Sequence, residues 1–489
     1  MDFSFAPFIP ETIVFGGACI LLLVSLIRCP CKRLVTGFGA MLIPIVAFAV
    51  MCMQNGGVLI GQAVESVNSG SLLFASDSFA LYARGLLLLL SLIVMISAID
   101  MFTEDSKRQG EFLFLMLISL GGLMLMTQAS NLMVLYLAIE VSSIPLYMMA
   151  GLKVHDIKAK EAVVKYFLLG AFASAMTIYG ISLIYTTAHT MTFTQIATSL
   201  TGAPIEILGI VLVLAGLFFK IAAFPFHFWA PDVYEGAPPI STAFISVAPK
   251  IGVLIALSRF VGFSFITGSG TANLVGWIIM GVSVASMTFG NVTAIWQKEV
   301  KRIMAYSSIA QIGYMLMGVV VIAFSTEHAA SGAAGILVYV TAYALMNIAA
   351  FSVIKVVEAR RGGSSLKHFA GLGKTNPALA IAMIVTLVSL LGIPWAAGFF
   401  GKLFIFKAAV SANLYWLVIV AVVNSALSAY YYFGIARAMY LDTPSEEITQ
   451  TETGNPFASF AAGLSAFGTA VLIMVPWITE FIQKASQVF

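Results

Sequence analysis

Four ionisable side chains stand inside long apolar stretches of the sequence. Glu140 lies in LMVLYLAIEVSSIPLYMM, and three lysines have similar surroundings, at Lys220, Lys250 and Lys402. A charged side chain near the centre of a lipid bilayer costs at least about 2.5–3.5 kcal/mol, so such residues are rarely present without a use. Carboxylates and amines both bind and release protons. The pattern therefore indicates reversible protonation inside an apolar medium.

Glu140 and Lys220 are expected to interact as an ion pair, with Lys250 and Lys402 extending the pair into a relay. At a separation of about 7 Å and an effective dielectric constant of about 20, the carboxylate would stabilise the ammonium by about 2.4 kcal/mol. Moving one charge against about 100 mV requires about 2.3 kcal/mol, so opening one pair is of a suitable magnitude to gate a proton. A purely structural role is the alternative for each residue.

Two further cations lie closer to the ends of their apolar stretches. Lys165 is one turn beyond Glu161, so it could join the relay or extend to the cytoplasmic interface. Arg84 is expected to extend to the outer interface.

Proline predicts an interruption in two of the helices that carry lysine. Pro225 follows Lys220, and Pro394, with Gly392 before it, precedes Lys402. Proline removes a helical hydrogen-bond donor and clashes with the preceding turn. Helices interrupted within a membrane commonly form ion sites near its midplane.

The composition predicts an all-α polytopic membrane protein. Hydrophobic residues make up 60% and charged residues 10% of the 489 positions, too little charge for a soluble protein of this size. The net charge of +3 does not suggest nucleic-acid binding. The N-terminal stretch MDFSFAPFIPE has no basic residue, so we expect the first span to be retained. Apolar runs predict about fourteen spans, near residues 10–28, 34–54, 78–100, 111–128, 131–151, 161–187, 205–228, 239–263, 273–296, 301–325, 330–357, 376–411, 414–440 and 457–484.

Basic residues alternate between the predicted loops. Loops 55–77, 188–204 and 264–272 contain neither lysine nor arginine. The positive-inside rule therefore places both termini on the outer, periplasmic side. The basic loops contain Arg28, Lys32, Arg33, Lys107, Arg108, Lys153, Lys158, Lys160, Lys298, Lys301, Arg302, Arg360, Arg361, Lys367 and Lys374. The loop PDVYEGAPP at 231–239 is expected on the cytoplasmic side although it is acidic.

The two interruptions lie in the seventh and twelfth predicted spans, an odd number of spans apart. Equivalent spans would then cross the membrane in opposite directions, which predicts two inverted five-helix repeats. The predicted organisation is an N-terminal three-helix segment (1–110), a first half-channel (111–263), a second half-channel (264–440) and a C-terminal loop and helix (441–489).

Nothing in the sequence predicts a metal or a cofactor on this chain. The four cysteines are confined to the first two spans and the loop between them, and Cys29-Pro30-Cys31 has no recognised metal-ligand spacing. Motifs for flavin, nicotinamide or iron–sulfur binding are lacking.

Several stretches resemble the antiporter-like membrane subunits of respiratory complex I, a family that includes subunits of sodium/proton antiporters and membrane hydrogenases. They are FPFHFWAPDVYEGAPPIST (224–242), VKRIMAYSSIAQIGYM (300–315), LKHFAGLGKTNP (366–377) and GIPWAAGFFGKLFIF (392–406). DVYEGAP is similar to the N-type members, and Lys402 differs from the glutamate of M-type members. Trp395-Ala396 departs from the family pattern, in which a less bulky residue and a threonine often follow the proline.

The resemblance implies roles for individual residues. Glu140 and Lys220 match the ion pair of the first half-channel, Lys250 the central connecting lysine, and Lys402 the gate of the second half-channel. Lys165 and His227 also occupy matching positions.

The resemblance also implies a proton-translocating subunit of the inner membrane that works among M-type, K-type and other membrane subunits. NADH, FMN, iron–sulfur clusters and quinone would then be bound by partner subunits. A subunit of a sodium/proton antiporter or membrane hydrogenase with the same fold remains the main alternative. An autonomous solute transporter would need a polar substrate pocket, which the sequence does not suggest. A scaffold without transport would not need the buried charges.

Overall fold

The computed structural model describes residues 6–26, 32–54, 73–100, 106–153, 156–265, 268–443, 455–471 and 476–489. Within these ranges the regular structure is helical, apart from three isolated β-bridges. Cys29 and Cys31 lie outside the described ranges, and Cys19 and Cys52 are free thiols.

The N-terminal part consists of a 3-10 turn at Ala6–Phe8 and four helices: α1 (Ile9–Leu26), α2 (Lys32–Gln54), α3 (Ser78–Ala98) and α4 (Ser106–Gln128). Asp77 begins α3 by accepting a hydrogen bond from the backbone nitrogen of Ala80 at 2.9 Å. Such capping satisfies one of the backbone donors that a helix start leaves without a partner.

The next part contains six helices: α5 (Leu132–Ala150), α6 (Ile157–Ala188), α7 (Phe193–Ser199), α8 (Pro204–Lys220), α9 (Trp229–Gly236) and α10 (Pro239–Ser264). Asn131 and Asp156 cap α5 and α6 through their side chains, each at 2.9 Å. The break predicted at Pro225 is present, because α8 ends at Lys220 and α9 begins at Trp229.

The remaining helices are α11 (Gly270–Ile295), α12 (Val300–Phe324), α13 (Ala329–Arg361), α14 (Leu366–Phe369), α15 (Leu372–Thr375), α16 (Pro377–Leu391), α17 (Ala397–Ser411), α18 (Tyr415–Tyr440), α19 (Pro456–Val471) and α20 (Pro476–Ala485), followed by a 3-10 turn at Ser486–Val488. A second break separates α16 from α17 around Pro394. Gly392 ends α16 with φ +88°, a backbone conformation that glycine adopts without strain.

Eleven helices in the described ranges are long and apolar enough to cross a membrane. They are α1 to α6, α10 to α13 and α18. The three other predicted spans coincide with shorter helices: 205–228 with α8, 376–411 with α16 and α17, and 457–484 with α19 and α20. The fold is therefore a polytopic helical membrane bundle, and the count of fourteen spans stays a prediction.

Three helices form the centre of the bundle. The apolar stretches of α10 and α13 that are long enough to cross a membrane are wholly buried, and that of α12 is almost wholly buried. A helix that is apolar and covered on every side lies in a core rather than at a lipid-facing surface. Lys250 is carried by α10, so it lies in the middle of the protein.

The structure corrects the prediction for Arg84, which does not extend to an interface. Its side chain is buried and pairs with Glu11 at 2.8 Å, and Gln128 donates to the same carboxylate at 2.8 Å. A second buried arginine, Arg259, pairs with Asp77. The two pairs tie the ends of α1, α3, α4 and α10 together.

Candidate functional site

Lys220 is the last residue of α8, at the point where the first broken helix ends. Its ammonium group donates to the hydroxyls of Ser143 and Tyr147, each at 3.0 Å. The same nitrogen lies 5.6 Å from the centre of the Tyr147 ring. All of these groups are uncharged, so the lysine is held by dipoles and an aromatic face.

Glu140 lies on α5, one turn before Ser143 and two turns before Tyr147, and therefore on the same face of that helix. Its carboxylate accepts a hydrogen bond from Ser174 of α6 at 2.5 Å. Within the described ranges Glu140 makes no direct ion pair with Lys220. The residues that bind Lys220 lie one and two turns from Glu140 along α5, so the carboxylate is placed to act on the ammonium through space.

Lys250 lies in the middle of α10 and is in contact with both neighbouring core helices. Its ammonium group donates to Ser308 of α12 and, at 3.0 Å, to Tyr343 of α13. Tyr234 of α9 shares a hydrogen bond of 3.1 Å with the Ser308 hydroxyl. A hydrogen-bonded path thus runs from the segment after the first break to the central lysine.

Lys402 lies on α17 and reaches back across the second break. Its ammonium group donates to the carbonyl oxygens of Leu390 at 3.1 Å and Leu391 at 2.9 Å, and to Ser425 at 2.8 Å. The first two acceptors belong to the last turn of α16, where helix carbonyls lack partners and attract cations. The ring of Tyr314 lies 4.8 Å from the same nitrogen.

The three lysines are among the most buried cations of the described ranges, with 8%, 1% and 4% of Lys220, Lys250 and Lys402 exposed. In that part of the chain none of them forms an ion pair with a carboxylate. Their ligands are hydroxyls, carbonyls and aromatic rings, so no directly bonded carboxylate holds any of the three lysines in its charged form.

A second set of polar groups links the regions of Lys250 and Lys402. Gln311 of α12 donates to the Leu390 carbonyl at 3.1 Å and to Tyr432 at 3.2 Å. Tyr432 is also hydrogen-bonded to Ser307 at 2.5 Å, next to the Ser308 that contacts Lys250. The polar path is therefore carried mainly by one face of α12.

His227 lies inside the first break and is 4% exposed. Phe224 and Phe289 flank its ring, with centroid distances of 5.4 and 4.6 Å. The buried Nδ1 atom has no hydrogen-bond partner among the described residues. The structure thus places His227 near the break but in contact with none of the three lysines.

Lys165 belongs to a different cluster, in the N-terminal part of α6. Its ammonium group pairs with Glu161 at 2.5 Å and with Asp232 of α9 at 2.6 Å. The side chain is 41% exposed. These contacts separate Lys165 from the buried lysines and agree with the interfacial interpretation.

Asp232 and Glu235, the acidic residues of DVYEGAP, lie on α9 rather than in an irregular loop. Burial opposes the ionisation of both carboxyl groups. Hydrogen bonds and charges from Lys165 and Arg302 at Asp232, and from Lys158 and Arg302 at Glu235, outweigh burial and hold both pKa values below their usual range. Both side chains are therefore ionised at neutral pH.

The family is decided by a match that covers more than half of the chain. Residues 129–428 match the model of the membrane region of NADH:quinone oxidoreductase and the Mrp antiporter. The chain belongs to the NADH:quinone oxidoreductase/Mrp antiporter membrane family.

Relatives within this family cover nearly the full chain. NADH-quinone oxidoreductase subunit N of Rhodospirillum rubrum is 38% identical over 90% of this chain and 89% of its own length. The subunit N of Trichlorobacter lovleyi is 37% identical over 97% of this chain and 96% of its own length. Among solved structures, a chain of respiratory complex I from Thermus thermophilus has a TM-score of 0.79 at 29% identity, covering 96% of this chain and 97% of that chain.

The family fold is shared by proteins of different function. A chain of the Mrp complex from Dietzia sp. has a TM-score of 0.82 at 21% identity, covering 97% of each chain. At that identity the likeness shows the fold alone. The sequence relatives, in contrast, share the name of one subunit type.

The ligands of the lysines were not predicted from the sequence. Ser143 and Tyr147 could have been found, because they follow Glu140 at helical spacing on one face of α5. Ser308, Tyr343 and Ser425 lie on other helices, and nothing in their local sequence separates them from ordinary polar residues in a membrane helix. In the described ranges there is no cluster of His, Cys, Asp and Glu that could hold a metal ion.

Proposed function

We propose that this protein is the N-type, proton-translocating membrane-arm subunit of an NADH-quinone oxidoreductase. The observation that carries the proposal is the series of three buried lysines, Lys220, Lys250 and Lys402, each held by neutral ligands. The relatives named NADH-quinone oxidoreductase subunit N support the choice of complex and of subunit type.

Neutral ligands make these lysines suitable for proton exchange. A carboxylate in direct contact would favour the ammonium form and oppose release of its proton. Hydroxyl groups can donate or accept, so Ser143 and Ser308 can contact either the charged or the neutral amine. Glu140 is not bonded directly to Lys220, so small movements of α5 or α8 can change the strength of their electrostatic interaction.

The proton relay runs through Lys220, Lys250 and Lys402. Glu140 favours charge on Lys220, and each protonated lysine disfavours charge on the next one. Lys402 faces the carbonyl end of α16, which stabilises a cation when it arrives there. His227, whose buried Nδ1 has no hydrogen-bond partner in the described part of the chain, is a further proton carrier in the first half, and Lys165 is a carrier at its edge.

The two half-channels are residues 111–263 and 264–440, arranged as inverted five-helix repeats among fourteen spans, with both breaks at equivalent positions. Segments 1–110 and 441–489 complete the subunit. Basic loops lie on the cytoplasmic side of the bacterial inner membrane, and both termini lie on the periplasmic side.

The energy for transport comes from other subunits. NADH, FMN, iron–sulfur clusters and quinone are bound there, and the M-type and K-type subunits are among the membrane partners. Quinone reduction elsewhere in the complex drives changes that open and close the Glu140–Lys220 interaction.

The test is purification of the tagged chain from its native membrane, followed by reconstitution. We expect other complex I subunits to co-purify and NADH-driven quinone reduction to move protons across proteoliposomes. Purification of this chain with a set of Mrp-type subunits, and sodium uptake driven by a proton gradient, would instead identify a sodium/proton antiporter.

A further inference from the structure

The short helix α9 lies between the two halves of the lysine series. It follows the first break, and Trp229 at its start donates to the carbonyl of Phe219 at 2.9 Å, next to Lys220. Tyr234, near its other end, is hydrogen-bonded to Ser308, the ligand of Lys250. A movement of α9 would therefore change the surroundings of both Lys220 and Lys250.

Asp232 and Glu235 on α9 each pair with one cation from α6 and one from α12. Asp232 accepts from Lys165 of α6 at 2.6 Å and from Arg302 of α12 at 2.9 Å. Glu235 accepts from Lys158 of α6 at 2.6 Å and from Arg302 at 2.9 Å. Arg302 is thus the single cation that both acids share, and it ties α9 to the first turn of α12.

Helix α12, which carries Arg302 in its first turn, also contacts the other two lysines. Ser308 of α12 is a ligand of Lys250. Gln311 donates to the Leu390 carbonyl that Lys402 also binds, and the Tyr314 ring lies against the Lys402 ammonium. Since an α-helix rises about 1.5 Å per residue, Tyr314 is only about 18 Å along the axis from Arg302.

The Arg302 contacts are one of several links between α9 and α12. The Arg302 side chain is 28% exposed and that of Lys158 is 68% exposed, so solvent screens part of what these ion pairs contribute to folding. Tyr234 and Lys301 provide further links between α9 and α12, through Ser308 and through the carbonyls of Glu235 and Ala237. The fold can therefore survive the loss of Arg302.

We propose that Arg302 is a positioning residue that couples the two half-channels, by fixing α12 to α9 through Asp232 and Glu235. A change at Lys220 moves the end of α8 and with it α9. Arg302 passes that movement to α12, which alters the surroundings of Lys250 and Lys402. This inference rests on the proposed proton-translocating function.

The test compares Arg302→Gln, Arg302→Lys and a matched control, Arg437→Gln, in the assembled complex. Arg437 is also an arginine at a helix end, and its 74% exposed side chain pairs loosely with Asp442 at 3.8 Å. Assembly is checked on native gels. The readouts are the number of protons moved per quinone reduced, in proteoliposomes, and the KM for quinone.

For Arg302→Gln we expect the proton-to-quinone ratio to fall by about threefold or more, within the range for residues that couple two sites. The KM for quinone should stay at the parental value, because α12 is not proposed to bind quinone. Arg302→Lys should keep at least about half of the parental proton-to-quinone ratio. Lysine retains the positive charge but lacks the several N–H donors with which a guanidinium group can bind two carboxylates. Arg437→Gln should match the parent.

A parental ratio in Arg302→Gln, or a ratio that falls equally in Arg437→Gln, would overturn the coupling role. If Arg302→Gln does not assemble, the double variant Asp232→Asn/Glu235→Gln removes the Arg302 contacts, together with those to Lys165 and Lys158, without changing α12. An unchanged ratio there would overturn the coupling role equally. The proposed function is tested separately by the parent: a parental complex that moves no protons would refute that function, whatever the variants do.

Discussion

Lys402 and Gln311 donate to the same backbone oxygen, that of Leu390, although they lie on different helices. This carbonyl belongs to the last turn of α16, where it has no partner within the helix. The second helix break is thereby joined to α12, and a shift of either donor changes the hydrogen bonding of the other. A change in the hydrogen bonds of Lys402 can therefore affect α12.

Lys402→Ala is expected to reduce proton pumping far more than Lys165→Ala. Removal of Lys402 leaves the Leu390 and Leu391 carbonyls without their cation in a buried site. After Lys165→Ala, Asp232 keeps its ion pair with Arg302. Initial rates of proton movement, measured with both variants assembled to equal levels, check this. Equal rates would show that the functional lysine has been misplaced.

Glu140→Ala should leave assembly intact and slow pumping severalfold. The upper bound is about fiftyfold, which would follow if the whole interaction of about 2.4 kcal/mol, estimated for two charges about 7 Å apart, were lost. Among the residues that the structure describes, only the Ser174 hydroxyl donates to this carboxylate, so few contacts depend on it. Glu140→Asp should retain part of the activity. Proteoliposomes with the alanine variant that pump at the parental rate would contradict a role in gating.

Lys220→Arg separates a proton carrier from a structural cation. Arginine keeps the positive charge near Glu140, but its guanidinium is essentially never deprotonated in proteins. A carrier should therefore lose about a hundredfold or more in pumping, from the lower end of the range for loss of a proton-transfer group. The measurement is pumping alongside electron transfer in assembled complex. Near-normal pumping would leave Lys220 a structural residue.

Arg84→Met tests the buried pair with Glu11 in the N-terminal helices. Removing one partner of a buried ion pair leaves the other uncompensated, which typically costs about 3–5 kcal/mol. The double variant Arg84→Met/Glu11→Leu should regain most of that loss. Thermal unfolding of the purified complex, followed on this subunit, gives the comparison. A single variant as stable as the parent would mean that Glu11 is hydrated or protonated.

The Asp232 and Glu235 cluster should be insensitive to pH in the physiological range. Because their pKa values are held below the usual values of about 4, the ionised forms add stability above that pH. The contribution is lost only as the pH falls through the lowered values. The difference in melting temperature between the parent and Asp232→Asn/Glu235→Gln should be constant from about pH 5 to 8 and shrink below about pH 4. If the difference in melting temperature disappeared near pH 7, Asp232 and Glu235 would not be ionised at neutral pH as assigned here.

The sequence by itself determined the class of protein, the family and the position of the lysines. Each of these signals is local: an apolar run reports a membrane helix, a proline reports a break, and a charge within an apolar run is conspicuous without any knowledge of its partners. The interruptions near Pro225 and Pro394 could be predicted for the same reason.

Only the tertiary structure decided what the charges contact. Lys250 is bound by Ser308 and Tyr343, which are 58 and 93 positions away in the chain, and Arg84 meets Glu11 instead of an interface. Asp232 and Glu235, which the sequence places in an acidic cytoplasmic loop, are bound between α6 and α12. Such contacts depend on which faces of distant helices pack together, and in a membrane nearly every helix is apolar on most faces. The hydrophobic pattern therefore carries little information about pairing, and the polar contacts emerge only when the bundle is assembled.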